Sequence, residues 1–391
     1  MNQLKLLLIG ATVLQLDNAG RLTAKRLVVD YIQEFAQWFD KVVWVTSFVE
    51  EKAHTQAVID RNKVTPCIVK AKARGWLFDY LTLQRLIDRQ TVIFLHLPNV
   101  WLAPIVLALR RRVKGLFVYV SNDYVQHSEI SRQTRGWLYS RLYRLAHELP
   151  ISFADGVVVR GRLNFERVGR LNRNVIETIP IGLNTVLQDR TKEACSGNLI
   201  NILYVGKLVE GKGVEVLLQA FYNLCKNLSD KKLLLTIVGT GSQEENLKRM
   251  FPNLVKNEKV KFLGFVDDKH LLSQLYAEAD IVVVPSTYPE GVPRVIDEAL
   301  IHKTPVIVSD LEGIRRQFSG REVVRVPPGD VAALSDAMYR LIVNPCLRRK
   351  VMEAINKRSA ETSKCRSASE QHARFIFGIV EKRSTTDNFR A

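Results

Sequence analysis

Short apolar runs alternate with amphipathic stretches along the whole chain. In the first half, Leu4–Ile9, Val42–Thr46, Thr91–Leu95, Leu116–Ser121, Gly156–Arg160 and Val175–Ile179 have the length and β-branched content of strands. Helical periodicity lies between several of them, as in Thr23–Phe39 and Leu138–Ala146. The strands are apolar throughout, not at every second position. Both faces of the sheet are therefore buried, which implies parallel strands covered by helices. The polar stretch Gln188–Asn198 interrupts the alternation and reads as a linker. The pattern then restarts. Strands are expected at Ile200–Val205, Leu233–Val238, Val260–Leu263, Ile281–Val284 and Pro305–Ser309. Helices are expected at Val214–Cys225, Gln243–Phe251, Lys269–Glu278, Pro293–His302, Val331–Val343, Leu347–Ser359 and Ser369–Arg383. Two open α/β sheets in series place their ligand crevices at the carboxyl ends of strands, and a cleft between two domains is the expected site.

Composition narrows the class. A chain of 391 residues supports two domains, each with its own core, and 47% apolar residues suits a globular protein. Met1–Gly10 is too short for a signal peptide and reads as a first buried strand. No run approaches 18 apolar residues, so no membrane span is expected. Cys67, Cys195, Cys225, Cys346 and Cys365 are scattered and form no CxxC pair. A disulfide framework or a zinc site is not expected, and a reducing compartment is. The net charge is +17. Residues 1–197 hold 28 Lys and Arg against 17 Asp and Glu, so most of the excess lies in the first half. Such a balance implies an anionic partner: membrane lipid, a phosphorylated substrate or nucleic acid. Arg132–Arg144 interleaves Arg with Trp137, Tyr139 and Tyr143, and Val100–Leu109 runs into Arg110-Arg111-Arg112. Either stretch reads as a membrane-surface helix, or as a helix packed on the sheet with a solvated basic face.

Three loops in the second half carry candidate chemistry. Each follows a strand, so all should open on one edge of the sheet. The first, Gly206-Lys207 through Lys212-Gly213, offers cations and glycines that permit close approach of a phosphate. The second is Gly239-Thr-Gly241-Ser, and the third is Glu290-Gly291-Val292-Pro293. Glu290 lies in a strand-to-helix loop, and Glu298, eight positions on, is more than a turn inside the following helix. The unpaired N–H groups and positive end of that helix suit an anion. A carboxylate beside an anion site makes sense if it reads uncharged neighbours of the anion, such as sugar hydroxyls next to a diphosphate. The plain alternative is a helix-start glutamate favoured by the dipole and a second glutamate facing solvent.

These motifs resemble glycosyltransferase family 4, retaining enzymes of the GT-B fold. The matching segments are Val205–Gly213, Ile237–Gly241, Phe262–Val266, Pro285-Ser286 through Glu290-Gly291 and Glu298-Ala299 to Pro305–Ser309, and Ile179–Asn184 at the junction. They occur in the family's order across roughly residues 175–345; the first half matches only in its alternation. The resemblance implies an α/β GT-B architecture, two Rossmann-like domains facing each other across a cleft. We expect an acceptor domain at 1–187, a linker at 188–198, a donor domain at 199–362, and a C-terminal helix at 363–391 packing back on the first domain.

The resemblance also implies roles. Lys212 holds the donor diphosphate. Lys207 stands where the family usually has arginine, so a bidentate grip becomes a point charge. Gly206, Gly239 and Gly241 shape the pocket, and the Phe265-Val266 backbone reads the base. Glu290 faces the donor sugar, with the N–H groups of Gly291 and Val292 near the phosphates, and Glu298 binds the ribose. Lys303 stands where the family usually has a helix-ending glycine, which is tolerable if the turn there is not left-handed. On the acceptor side, Gly10 and Gly20 belong to the loop after the first strand. Asp123, where some members have aspartate and others histidine, orients an acceptor hydroxyl, and His127 competes for that role. The plain readings are a turn cap for Asp123, a surface position for His127 and a hydrogen-bonded sheet-end histidine at His96.

The implied activity is that of a metal-independent hexosyltransferase-like enzyme with Glu290, Asp123 and Lys212 as its catalytic residues. It moves a sugar from a nucleotide-diphosphate donor, a co-substrate and not a cofactor, to a hydroxyl of a glycan or lipid-linked acceptor in cell-surface polysaccharide synthesis. It is expected to be cytoplasmic, on an anionic membrane surface at the inner face of the plasma membrane, with no nucleic-acid partner. A GT-B-fold nucleotide-sugar epimerase and a non-catalytic nucleotide-sugar-binding subunit remain as alternatives.

Overall fold

The computed structural model describes the chain except residues 1–3, 11–13, 18, 20, 25, 48–56, 71–74, 121–135, 179–193, 289–290, 319, 363–366 and 389–391. The chain divides into two compact units, Met1–Gly182 with Arg366–Ala391, and Leu183–Cys365.

The first unit contains strands β1 (Lys5–Ile9), β2 (Gln15–Leu16), β3 (Leu22–Ala24), β4 (Lys41–Thr46), β5 (Ala57–Val58), β6 (Val64–Ile68), β7 (Thr91–Leu97), β8 (Gly115–Val120), β9 (Gly156–Val159) and β10 (Val175–Glu177). Its helices are α1 (Arg26–Glu34), α2 (Trp76–Leu86), α3 (Ala103–Leu109), α4 (Trp137–Phe153) and α5 (Arg162–Val168). Seven strands form a parallel sheet in the order β10-β9-β8-β7-β1-β4-β6, and β2-β3-β5 form a small antiparallel sheet. Successive residues of β1 serve opposite cores. Leu7 and Ile9 pack with Leu83 of α2, Ile105 of α3 and Ile151 of α4, whereas Leu6 and Leu8 pack with Val29 and Ile32 of α1. Burial on both faces is why these strands read as unbroken apolar runs.

The second unit contains β11 (Leu199–Val205), β12 (Lys232–Val238), β13 (Val260–Gly264), β14 (Ile281–Val284), β15 (Val306–Ser309) and β16 (Val324–Val326). Helices α6 (Val214–Asn227), α7 (Glu244–Met250), α8 (Pro252–Lys256), α9 (Lys269–Glu278), α10 (Arg294–Ile301), α11 (Glu312–Gln317), α12 (Val331–Val343) and α13 (Pro345–Thr362) accompany them. The sheet is parallel, in the order β13-β12-β11-β14-β15-β16. Strand order reverses between β11 and β14, so the loops leaving these two strands diverge and open a crevice between them.

The last helix, α14 (Ala368–Asn388), belongs to the first unit. Ala373, Ile376 and Val380 enter the core beside α1, and Phe377 stacks on Phe39 at 5.0 Å. Polar ties are Tyr31 Oη to His372 Nδ1 at 2.8 Å, Ser369 to Glu34, and Arg383 to Asp155.

Three local expectations differ from the structure. Thr23 is not in a helix: Leu22–Ala24 form the central strand of the small antiparallel sheet, where β-branched Thr23 is buried. Helix α4 does not stop at Ala146 but runs through Pro150, because burial of Pro150 and Ile151 holds the last turn against the lost N–H bond. Ala194 and Cys195, inside the expected linker, are buried in the second core. The Asp280 carboxylate fixes them, accepting from Cys195 N and Asn201 N at 2.8 Å each.

Candidate functional site

The loops after β11, β12, β13 and β14 are stitched together at the carboxyl edge of the second sheet. Gly206 N donates to Val238 O at 2.9 Å, Leu208 N to Thr240 O at 2.9 Å, and Gln243 N to Leu208 O at 2.9 Å. Gly239 N donates to Gly264 O at 2.7 Å, which ties in the segment bearing Phe265 and Val266. Thr287 N and Tyr288 N both donate to Gly211 O, at 2.9 and 3.2 Å. The chain just before Glu290 is thereby held against the lysine loop. Glycine is required at three of these crossings, Gly241 among them with an added Cβ 2.2 Å from Leu208 O. At Gly213 (φ +69°) an added Cβ would lie 1.9 Å from Pro285 O, and at Gly239 (φ +133°) 1.9 Å from Gly206 O. The structure thus brings together Gly206, Lys207, Lys212, Gly239 and Gly241, with Lys207 exposed and Lys212 half-buried. Phe265 is exposed and Val266 half-buried. Two cavities of this unit, ≈ 220 Å³ beside Asn201 and Thr236 and ≈ 690 Å³ beside Arg316 and Lys357, border none of these loop residues.

Helix α10 continues from the β14 loop. Gly291 is half-buried, Val292 is buried in the core, and Pro293 is the N-cap, so the helix starts one residue later than expected. The first turn of N–H groups points to the loop side, as an anion site needs. Glu298 lies on this helix, half-buried, and its Oε2 accepts from Tyr276 Oη at 2.6 Å. Glu298 O meets His302 Nδ1 at 2.7 Å, and His302 Nε2 meets Ser273 Oγ at 2.7 Å. Burial, then the neighbouring Glu298 carboxylate, push Tyr276 well above its ordinary value, so the phenol stays protonated and donates. Burial also pushes the His302 imidazole down, against the opposing hydrogen bond and charge of Glu298. Tyr276, His302 and Ser273 escaped sequence reasoning. They reach Glu298 from another helix or by a turn closure, and no local pattern marks such a contact.

Lys303 corrects a second expectation. Its φ is +54°, so the turn is left-handed. Thr304 N donates to Ala299 O at 2.9 Å and Lys303 N to Leu300 O at 3.1 Å, the bond pair of a Schellman motif. A lysine therefore occupies the position where glycine is least strained.

In the first unit Gly10 (φ +95°) ends β1, donating to Val45 O at 2.9 Å and accepting from Trp44 Nε1 at 2.8 Å. Its added Cβ would lie 3.2 Å from His96 O, so the loop after β1 and the end of β7 adjoin at that sheet's carboxyl edge. His96 is not the hydrogen-bonded histidine expected. It is buried against Phe94 and Tyr119, and its Nε2 has no partner among the described residues. Burial pushes it down to about 3. Gly20, Asp123, His127 and Glu290 lie outside the described residues.

Residues 187–358 match the family model described as Glycosyl transferases group 1. The chain is 38% identical over 155 residues to a phosphatidyl-myo-inositol mannosyltransferase of Mycobacterium leprae, covering 39% of this chain and 40% of that protein. It is 29% identical over 154 residues to an alpha-D-kanosaminyltransferase of Streptomyces kanamyceticus, covering 39% of each. The similarity therefore spans about two fifths of the length of these curated relatives. Among solved structures, Anabaena HepE in complex with UDP-glucose superposes with a TM-score of 0.67 at 17% identity, covering 97% of this chain and 99% of that one. A sucrose-phosphate synthase from Thermosynechococcus elongatus gives 0.64 at 18% identity, covering 98% and 100%. The fold is GT-B. Residues 187–358 are thus similar to the group 1 glycosyl transferases, and the rest of the chain shares with glycosyltransferases the GT-B fold alone.

Proposed function

We propose that this protein is a retaining glycosyltransferase that moves a sugar from a nucleotide-diphosphate donor to a hydroxyl of a lipid-linked or cell-surface glycan. One observation carries the reading: four backbone loops are hydrogen-bonded into a single edge at the switch point of the second sheet, with Lys207 and Lys212 in the first of them. A departing nucleoside diphosphate gains negative charge as the glycosidic bond breaks. Two lysines and the start of α10 supply compensating charge from the chain itself. The sugar becomes oxocarbenium-like. In this reading Glu290 faces that developing positive charge and Glu298 accepts from the ribose hydroxyls. Its Oε2 is occupied by Tyr276, whereas its Oε1 accepts from no described residue. In this reading the acceptor attacks from the front face, with the leaving phosphate taking its proton.

The acceptor reading rests on the outer face of the first unit. Trp137, Leu138 and Leu142 of α4 are 58%, 63% and 56% exposed, with Leu145 and Leu149 beyond them. Arg141 lies over the Trp137 ring, and Arg110 of the basic run lies over the Phe153 ring at 4.2 Å. α2 adds exposed Trp76, Leu77 and Phe78. Solvent thus meets an aromatic, leucine-rich face edged with arginine. That composition suits the interface of an anionic membrane, where a lipid-linked acceptor resides. No described helix is long and apolar enough to cross a membrane.

The donor site is tested by calorimetry of UDP, GDP and ADP against the folded chain. Lys212→Ala should weaken the tightest of these by about 10- to 100-fold, the loss of one charge-assisted contact. Unchanged affinity would remove Lys212 from the phosphate site.

A further inference from the structure

Glu298 does not stand alone. The Tyr276 side chain is 1% exposed, and its hydroxyl ends 2.6 Å from Glu298 Oε2. Thr304 Oγ1 donates to Tyr276 O at 2.7 Å, and the Tyr276 ring stacks on His302 at 5.4 Å and 20°. The carbonyl of Glu298 can only accept, so His302 Nδ1 carries the proton of that contact, and Nε2 is left to accept from Ser273 Oγ. Both the carboxylate and the peptide of Glu298 are therefore held from behind, by α9 on one side and by the turn after α10 on the other. A glutamate side chain has three rotatable torsions, and one bond to a buried donor selects among its rotamers before any ligand arrives. The second carboxylate oxygen is left to meet a ligand.

From this geometry we infer that Tyr276 is a positioning residue for donor recognition. Its buried hydroxyl presets the Glu298 carboxylate to accept from the vicinal hydroxyls of a ribose, with His302 and Ser273 fixing the backbone that carries it. The inference rests on the reading that Glu298 meets the ribose. Tyr276 itself touches no substrate. It makes the site selective for ribonucleotides over deoxyribonucleotides by removing the freedom of the group that reads the sugar.

The experiment is calorimetry on the full chain. UDP, GDP and ADP are titrated, and the tightest is compared with its 2′-deoxy and 3′-deoxy forms. Wild type should prefer the ribonucleotide, and Glu298→Gln should narrow that preference. Tyr276→Phe keeps the ring and its packing. It should weaken the ribonucleotide by about 5- to 20-fold, leave at least one deoxy form unchanged, and add nothing in a Glu298→Gln background. Equal weakening of all forms would make Tyr276 merely structural and overturn the inference, as would unchanged ribonucleotide affinity. If Glu298→Gln itself leaves the preference intact, the ribose reading fails first, and the inference falls with it. Ser273→Ala, which frees His302 under the Glu298 carbonyl, is the second variant should Tyr276→Phe not fold. It should narrow the preference in the same direction by about 2- to 5-fold, and equal weakening of all forms or no change would again overturn the inference.

Discussion

Gly213→Ala separates the geometry of the loops from their chemistry. The residue adopts φ +69°, and its added Cβ would sit 1.9 Å from Pro285 O and 2.8 Å from Pro285 C. Cβ contacts below 3.0 Å are essentially never seen, so the distance must grow from 1.9 to at least 3.0 Å. Both partners are backbone, and no side-chain rotation relieves the overlap. The loop carrying Lys212 must move away from the β14 segment that leads to Glu290, by about 1 Å. A misplacement of that size costs about 100-fold in rate when several groups act on one reacting centre. The left-handed alanine adds about 1–2 kcal/mol of strain, which lowers the melting temperature of a unit of this size by roughly 3–8 °C and leaves it folded. Gly329→Ala is the control. Its φ is +77° and its nearest atom would be Thr287 Cγ2 at 4.0 Å, so it carries the same strain with no overlap. Donor turnover and thermal unfolding are measured on both. Gly213→Ala should melt below Gly329→Ala, because relieving the overlap costs about 1–3 kcal/mol beyond the shared strain, and it alone should show a large loss of kcat/KM. Turnover within about threefold of wild type in a folded Gly213→Ala would refute the idea that contact of these two loops positions the reaction.

Lys303→Gly should stabilise the protein, because removing about 1–2 kcal/mol of left-handed strain outweighs about 0.4–1 kcal/mol of added unfolded-chain freedom. A urea midpoint that stays put or falls would contradict that sign. Acid should weaken the first unit. Burial holds His96 and His372 down at about 3 in the fold, and His372 is further lowered by His96, whereas in the unfolded chain they protonate near 6.5. Their contribution is present above pH 6.5 and is lost below it at about 1.4 kcal/mol per pH unit for each histidine. His96→Phe, which removes an imidazole whose Nε2 has no described partner, should flatten that slope, and an identical acid profile would contradict it. Sedimentation with anionic liposomes should capture the protein at low salt and release it at high salt. Salt-independent partitioning to neutral and anionic vesicles alike, or none to either, would rule out electrostatic docking.

The two sheets were legible in the sequence because burial on both faces writes a strand as an unbroken run, as in Ile281–Val284. The glycine loops of the second sheet were legible for a related reason. Glycine at a strand end marks a backbone crossing, and Gly213 and Gly239 do sit at crossings where no other residue fits. Less was legible wherever a distant contact overrules a local preference. Pro150 announces a helix end, yet packing carries α4 three residues further. Ala194 and Cys195 look like linker until Asp280, far along the chain, caps their backbone. Lys303 is unusual at a helix end, but only the observed φ shows that the strained conformation is adopted. Tyr276 carries no signal at all, because its partner is 22 residues away on another helix.

The proposed activity is transfer of a sugar at a site to which Lys212 and Glu290 are assigned. A mass-spectrometric screen of nucleotide sugars, with a lipid extract as acceptor, tests it most directly. Release of nucleoside diphosphate from one donor class is expected, with the matching sugar mass on a lipid, its anomeric configuration retained, and loss of both signals in Glu290→Gln while donor binding persists. Donor binding without transfer to any acceptor fraction, or nucleotide release that ignores the acceptor, would contradict it and favour a binding subunit in the first case and an epimerase in the second.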